Sequence, residues 1–335
     1  MKTGVAAAIA VLAVLAAIGI GLASARVFRG PPPTPVRVSV SFTPAPTPSP
    51  TPYDEAALFH EPISGGCATT SGVWLITNGG GLLRYDGTQW AEVDATLRSL
   101  TRAACTANAA YAVGQVGAFM ISDETSRSIR ATDVGIEDLW GVSPVSDGAW
   151  LVGSRGAIVG IDTNGDIFPF PTSEEIDLFD VVAFSLQSAW AVGDRGITYR
   201  LDSRGWSPVG TAQTNALRSV AGTTPANVVA VGDAGTIMTF TSGGWASAKS
   251  GVDVTLRDVI VDPTVWIAGD KGTLLTTSGV PAAPFRKIDL GTECDLVALF
   301  ARGNEIWVVG KGVIGGGVWR VRAADGVVVQ HFGGC

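Results

Sequence analysis

Histidine is almost missing from this chain. Its 335 residues include two, His60 and His331. A histidine-dependent nucleophile or a His-rich metal site has too few groups to draw on. Both lie near the ends of the repeat region described below and read as surface or seam residues. Cysteine is also scarce, with four residues and no CxxC spacing, which excludes a zinc ribbon or finger. Charged residues are 16% of the chain. No G-x-S-x-G, HExxH or phosphate-loop pattern occurs, so the usual hydrolase and nucleotide signatures are absent. The Gly-rich run GKGVIGGG (Gly310–Gly317) has no helix after it and reads as a loop. Basic residues fall short of acidic ones. From Tyr53 onward there are 19 against 30, a balance of −11. Nucleic acid needs a basic footprint that such a domain lacks.

The chain has glycine and apolar residues instead: 43 Gly and 46% hydrophobic. That mixture suits short strands and tight turns. An uncharged run, Val5–Ala23, is long enough to cross a bilayer, and ASA (Ala23–Ala25) fits a small-residue cleavage site. Residues 1–30 are therefore expected to be a signal peptide or membrane anchor, placing the remainder outside the cytoplasm. No Cys follows the run, which argues against a lipoprotein anchor. Residues 31–52 carry nine prolines and are expected to form an extended linker. Within it VRVSVSF (Val36–Phe42) alternates as a strand does. It reads either as spacer or as a strand that adds to an exposed sheet edge.

From residue 53 to 335 the sequence repeats. An aromatic or Val, two apolar residues, a Gly and a turn recur at Trp74, Tyr111, Trp150, Trp190, Val229, Trp266 and Trp307, with spacings of 37 to 41. A copy such as Leu217–Lys249 divides into four strand-like runs, LRSVAG, VVAVG, TIMTFT and WASAK, separated by turns. No copy holds a ten-residue helical pattern. Four short antiparallel strands per repeat make a propeller blade, and seven copies predict an all-β, seven-bladed β-propeller. The anchors are expected to fill the spaces between blades. The turns GDRG (Gly193–Gly196), GDAG (Gly232–Gly235) and GDKG (Gly269–Gly272) are expected to place positive φ on Gly and Asp.

Trp190-Ala191-Val192-Gly193-Asp194, and Gly235-Thr236-Ile237 through Gly243-Gly244-Trp245, resemble the bacterial propeller repeats of the photosystem II assembly/stability factor family. More distantly they resemble Asp-box (sialidase-type) repeats, to which YDGTQW (Tyr85–Trp90) comes nearest. The resemblance covers the chain from about residue 60. It implies the fold and says little about activity.

Four cysteines in an exported domain read as two disulfides. Cys67 and Cys105 both end first strands, in adjacent blades. Cys294 precedes the last blade's first strand and Cys335 follows its last strand. Facing considerations favour Cys67–Cys105 and Cys294–Cys335. A candidate site comes from aligning the residue after the leading Leu of each first strand: Arg98, Trp140, Phe179, Arg218, Arg257 and Val297. The turns after the second strands add Arg155, Arg195, Lys271 and Lys311 on the same face. Together they predict a basic, partly aromatic ring at the channel mouth that focuses on anions. Asp180 and Asp258 follow two ring positions and are placed to neutralise part of it. Asp194, Asp233 and Asp270 read as turn chemistry rather than calcium ligands.

The expected function is a non-enzymatic, monomeric binding or scaffold propeller with a protein partner, no cofactor, no metal and no nucleic acid. Its membrane association would run through the N-terminal segment. The alternative is a carbohydrate-binding or glycosidase-type propeller. A sialidase needs an arginine triad, a Tyr–Glu pair and an Asp, whereas four Tyr are present and Glu305 reads as a turn residue. Two carboxylates facing each other in the channel would favour the enzyme.

Overall fold

Short β-branched and apolar runs, each ended by a turn cluster, become strands throughout. In blade 4 they are Leu178–Ser185, Ser188–Gly193, Thr198–Asp202 and Gly205–Pro208. Each is antiparallel to the next. The computed structural model describes residues 59–335, apart from 94–98, 124–127, 134, 136, 171, 173–174, 278–283 and 314. The apolar segment Val5–Ala23, the Pro-rich linker and Arg98 lie outside the described residues. Among those residues no helix is long and apolar enough to cross a membrane.

Seven four-stranded antiparallel sheets follow one another, each from four consecutive strands. Each blade's first strand packs against the first strand of the next blade. That of blade 7, Asp295–Arg302, packs against that of blade 1, Ile63–Ala68. The ring is therefore closed, with first strands innermost around the axis. The seven-bladed β-propeller expected from the repeats is the observed fold.

Seven hydrophobic clusters fill the seven spaces between blades. The period of two along a strand explains how. On the second strand of blade 4, Trp190 and Val192 face blade 5, while Ala189 and Ala191 face blade 3 and receive Trp150. Volumes are matched across three of the spaces. Trp74 meets Ala110 and Ala112, whereas the shorter Val229 meets Val265 and Ile267. Six of the seven anchors are buried, and Tyr111 is half-buried. In three blades the residue paired with the anchor on the third strand is an arginine lying over the indole: Arg84 on Trp74, Arg200 on Trp190 and Arg320 on Trp307.

The second-to-third-strand turns differ from expectation in one detail. Positive φ falls on the third and fourth residues, Arg195 (53°) and Gly196 (70°) in blade 4, and likewise on Lys271 and Gly272 in blade 6. The first Gly is needed for a different reason. Gly193 is extended, but a Cβ there would come 2.1 Å from the Asp177 carbonyl oxygen. The strain of a left-handed non-Gly residue is offset by a bond to the next blade. The Val116, Arg155 and Lys271 N–H groups donate to Asp138, Asp177 and Asp295, respectively.

Both disulfides form as read from the sequence, Cys67–Cys105 and Cys294–Cys335. The first ties blades 1 and 2 on the face of the first-to-second-strand turns. The second lies on the opposite face. Among the described residues no strand is exchanged at the closing seam. Phe59, Tyr85 and Trp90 of the blade 1 side instead pack with Phe300, Trp307 and Phe332 of blade 7. The Gly316 N–H of blade 7 donates to the Phe59 carbonyl.

Candidate functional site

At or next to the start of every first strand stands a buried branched residue, after which the strand bulges. The ladder skips one position after Ile63, Leu100, Leu178, Leu217, Leu256 and Leu296. Blade 3 breaks register at the same level, where Leu139 pairs with Gly153. The skipped residues are Ser64, Thr101, Trp140, Phe179, Arg218, Arg257 and Val297. A bulge turns its extra residue out of the ladder and bends the strand. These seven residues stand at the N-terminal ends of the innermost strands, level with the turns that follow the second strands.

Arg98 lies outside the described residues; the skipped residue of blade 2 is Thr101. The stretch LRSLTRA (Leu97–Ala103) offers two leucines. Leu97-Arg98-Ser99 mimics Leu217-Arg218-Ser219, but Leu100 is the residue that pairs with the turn glycine, Gly114, as Leu217 pairs with Gly232. The Thr101 hydroxyl donates to the Leu139 carbonyl of the next blade, 2.6 Å away.

Three ring residues meet across blades 3 to 5. The rings of Trp140 and Phe179 lie 5.1 Å apart, and the Arg218 guanidinium sits 4.5 Å from the centre of the Phe179 ring. All three are half-buried. Arg218 in turn holds Asp233 of its own GDAG turn with two bonds, at 2.9 and 2.7 Å. The hydrogen bond to Arg218 holds the Asp233 carboxyl below its usual range, and the same bond raises the guanidinium.

The remaining ring and turn arginines are also paired with acids. Arg257 bonds Asp270 and lies 3.6 Å from Asp295. Arg155 lies between Glu137 and Glu175, at 3.6 and 3.5 Å, and Arg195 is 3.8 Å from Asp194. Arg155 and Arg195 stand on the outer turns, 61% and 67% exposed. Lys271 also sits on a turn, where its N–H meets Asp295. The mouth is thus less basic than a list of its arginines implies. Three of the turn acids expected from the sequence, Asp194, Asp233 and Asp270, serve these arginines.

One residue deeper, the first strands place Gly65, Arg102, Gly141, Asp180, Ser219, Asp258 and Ala298 toward the axis. The small residues leave room for one long side chain. Arg102 of blade 2 reaches across the channel, and its Nη2 donates to Asp180 Oδ2 and Asp258 Oδ1, both at 2.8 Å. Ser219 Oγ lies 2.8 Å from each of the same oxygens and 3.2 Å from Arg102 Nη2. The backbone completes the set. The Val220 N–H donates to Asp180 Oδ2, and the Leu299 N–H to Asp258 Oδ2.

Blades 2, 4, 5, 6 and 7 are joined at one point by this network. Burial disfavours the Arg102 charge, but Asp180 and Asp258 outweigh it and the guanidinium is raised above its usual value. Burial pushes the Asp180 carboxyl up, and the Asp258 charge adds to it. Arg102, the Val220 N–H and Ser219 pull the other way without cancelling the rise. The sequence had flagged Asp180 and Asp258 but not Arg102, which the Leu97 alignment had placed off the ring.

No protein-family model and no curated protein matches the sequence. Solved structures match the fold. The WD40 β-propeller domain of Doa1 aligns with a TM-score of 0.66 at 10% identity, over 78% of this chain and 93% of that one. The WD40 repeats of RRP9 align with a TM-score of 0.65 at 8% identity, over 75% and 88%. At these identities the likeness is one of fold alone. YCF48 bound to a D1 peptide aligns more loosely, with a TM-score of 0.48 at 14% identity, over 84% and 85%.

Proposed function

We propose that this protein is a non-enzymatic binding propeller that works outside the cytoplasm. Its mouth over blades 3 to 5 takes a protein segment presenting a carboxylate beside an aromatic or apolar side chain. The observation that carries this reading is the ladder Trp140–Phe179–Arg218 at the mouth. A flat aromatic pair offers contact area at little entropic cost. An arginine stacked on Phe179 keeps its fork directed, and that fork suits a carboxylate. An incoming carboxylate would compete with Asp233 for Arg218, so affinity is modest and the exchange favours ligands that also cover the aromatic rings. Two disulfides support an oxidising compartment.

The test is crosslinking of the full chain in its native membranes, comparing wild type with a Trp140→Ala/Phe179→Ala/Arg218→Ala variant. Loss of the captured partner in the variant is expected. Undiminished capture by a folded variant removes the mouth from the binding surface.

One observation favours the glycosidase reading: two carboxylates, Asp180 and Asp258, do face each other in the channel. Their surroundings argue against catalysis. They are 2% and 4% exposed, and both of their channel-facing oxygens are taken by Arg102 and Ser219. A glycosidic acid and nucleophile need open access to a sugar between them. Aryl-glycoside hydrolysis that disappears in Asp180→Asn would reinstate the enzyme.

A further inference from the structure

The outermost strand of blade 7, Val328–Gly333, differs from most of the other outer strands, although that of blade 5, Gly244–Ala248, also lacks proline and charge. Those of blades 3 and 6 are three residues long, Ile167–Pro169 and Arg286–Ile288, and that of blade 4 ends in Pro208. Short length, proline and charge are the usual defences of a sheet edge. Val328–Gly333 spans six residues with neither proline nor a permanent charge. Val327, Val328 and Val329 are 47%, 38% and 52% exposed. Its register breaks once, between its pairings with Arg320 and Val321. Its far end, from Gln330 to Gly333, stays regular, and nothing among the described residues pairs with its outer side.

The described chain begins at that end. Phe59 shares the seam cluster with Phe332, and a Cβ on Gly333 would lie 2.7 Å from the Phe59 ring. Whatever precedes residue 59 therefore leaves the domain beside this open edge. What precedes it includes VRVSVSF (Val36–Phe42), in which Val36, Val38, Val40 and Phe42 alternate with Arg37, Ser39 and Ser41. Residues 43–58 separate it from Phe59. Sixteen extended residues reach roughly 50 Å at about 3.1 Å each, more than twice the length of a six-residue strand, about 20 Å. Either strand direction is within reach.

We infer that Val36–Phe42 docks as a fifth strand on the outer edge of blade 7. Its apolar side covers the exposed valines, and the N-terminal linker is thereby fastened across the closing seam. Strand addition to an open edge gains main-chain hydrogen bonds, and alternating side chains set its register.

Hydrogen exchange on the full-length chain tests this. Wild type is compared with Val38→Asp/Val40→Asp, whose changes lie outside the propeller and leave it folded. Protection of the strand Glu305–Lys311, inside blade 7, serves as the folding control. The inference predicts that amides of residues 328–332 exchange at least tenfold faster in the variant, while Glu305–Lys311 is unchanged. Equal exchange at 328–332 in the two proteins overturns it. So does protection that persists in the variant, tracks a dimer in solution and is lost on Val329→Lys, since the edge then belongs to a second copy of the chain.

Discussion

Replacing Arg102 with alanine removes the cation that bonds Asp180 and Asp258, and leaves two buried carboxylates with Ser219 and backbone N–H groups as their partners among the described residues. Breaking a buried ionic cluster by deleting one member typically costs 3–5 kcal/mol, because the charge left behind has neither water nor partner. Here the cation meets two carboxylates at 2.8 Å each, so a value near the top of that range, about 5 kcal/mol, is expected. For a domain of this size that lowers the melting temperature by roughly 10 °C or more. The pH dependence follows from direction. Burial already holds the folded Asp180 carboxyl above its ordinary value of 3.8, and without Arg102 it rises further. A folded pKa above the unfolded one means that the folded state binds the proton more tightly, so stability falls as pH rises through that window. The variant should therefore recover part of its loss as pH drops from 7 toward 4, and its gap to wild type should narrow. Calorimetry of both proteins across that range is the assay. Arg102→Met combined with Asp180→Asn and Asp258→Asn should restore most of the stability, since replacing a whole ionic cluster is far cheaper than breaking it. A gap below 1 kcal/mol, or one that does not change with pH, would refute the account of the channel.

Trp190→Ala should cost about 3–5 kcal/mol in denaturant unfolding. The side chain is fully buried, lies 4.5 Å from the Phe240 ring, and donates its indole N–H to the Pro225 carbonyl. Cys294→Ser/Cys335→Ser opens a loop of 41 residues, worth about 4 kcal/mol in the chain-entropy picture. Limited proteolysis should then cut first beside the seam rather than between inner blades. Asp233→Asn loosens Arg218, and titration calorimetry with a carboxylate-bearing peptide captured by the wild type should show tighter binding, whereas Arg218→Ala should abolish it. Asp86 is held at about 2, chiefly by the Thr88 hydroxyl and then by the Gln89 and Thr88 N–H groups. Carbon-detected NMR titration should find it there and see it rise toward 3.8 in Thr88→Ala. The small stability it lends is present above the ordinary value and fades as pH falls toward 2.

The repeat spacing made the architecture legible because each blade buries its own copy of the same anchor, and identical burial imposes identical residues. Trp74, Trp150, Trp190, Trp266 and Trp307 all sit where their period places them. The disulfides were legible for the same reason, since knowing which strand end a cysteine occupies gives its face of the ring. The interior of the channel was harder to see. Its chemistry depends on residues that differ from blade to blade, so an alignment that seeks what repeats passes over them. Arg102 stands alone among Gly65, Gly141 and Ala298, and the doubled Leu-x-x-Leu in blade 2 hid its register. The distance from the leucine to the turn glycine would have resolved it. Leu100 lies 14 residues before Gly114, as Leu139 lies 14 before Gly153, whereas Leu97 is three residues too far. The pairing of mouth arginines with turn acids also escaped. Sequence offsets show that Arg218 and Asp233 belong to the same blade, but only the bulge after Leu217 aims one at the other.

The seam has a bearing on how the molecule is oriented. Phe59 meets Gly316 and Gly333 on the same side of the disc as Trp140, Phe179 and Arg218. Phe59 thus stands on the side of the mouth, and the side bearing Cys67–Cys105 looks the other way. Arg102, bonded to Asp180 and Asp258 of blades 4 and 6, stands between the two sides.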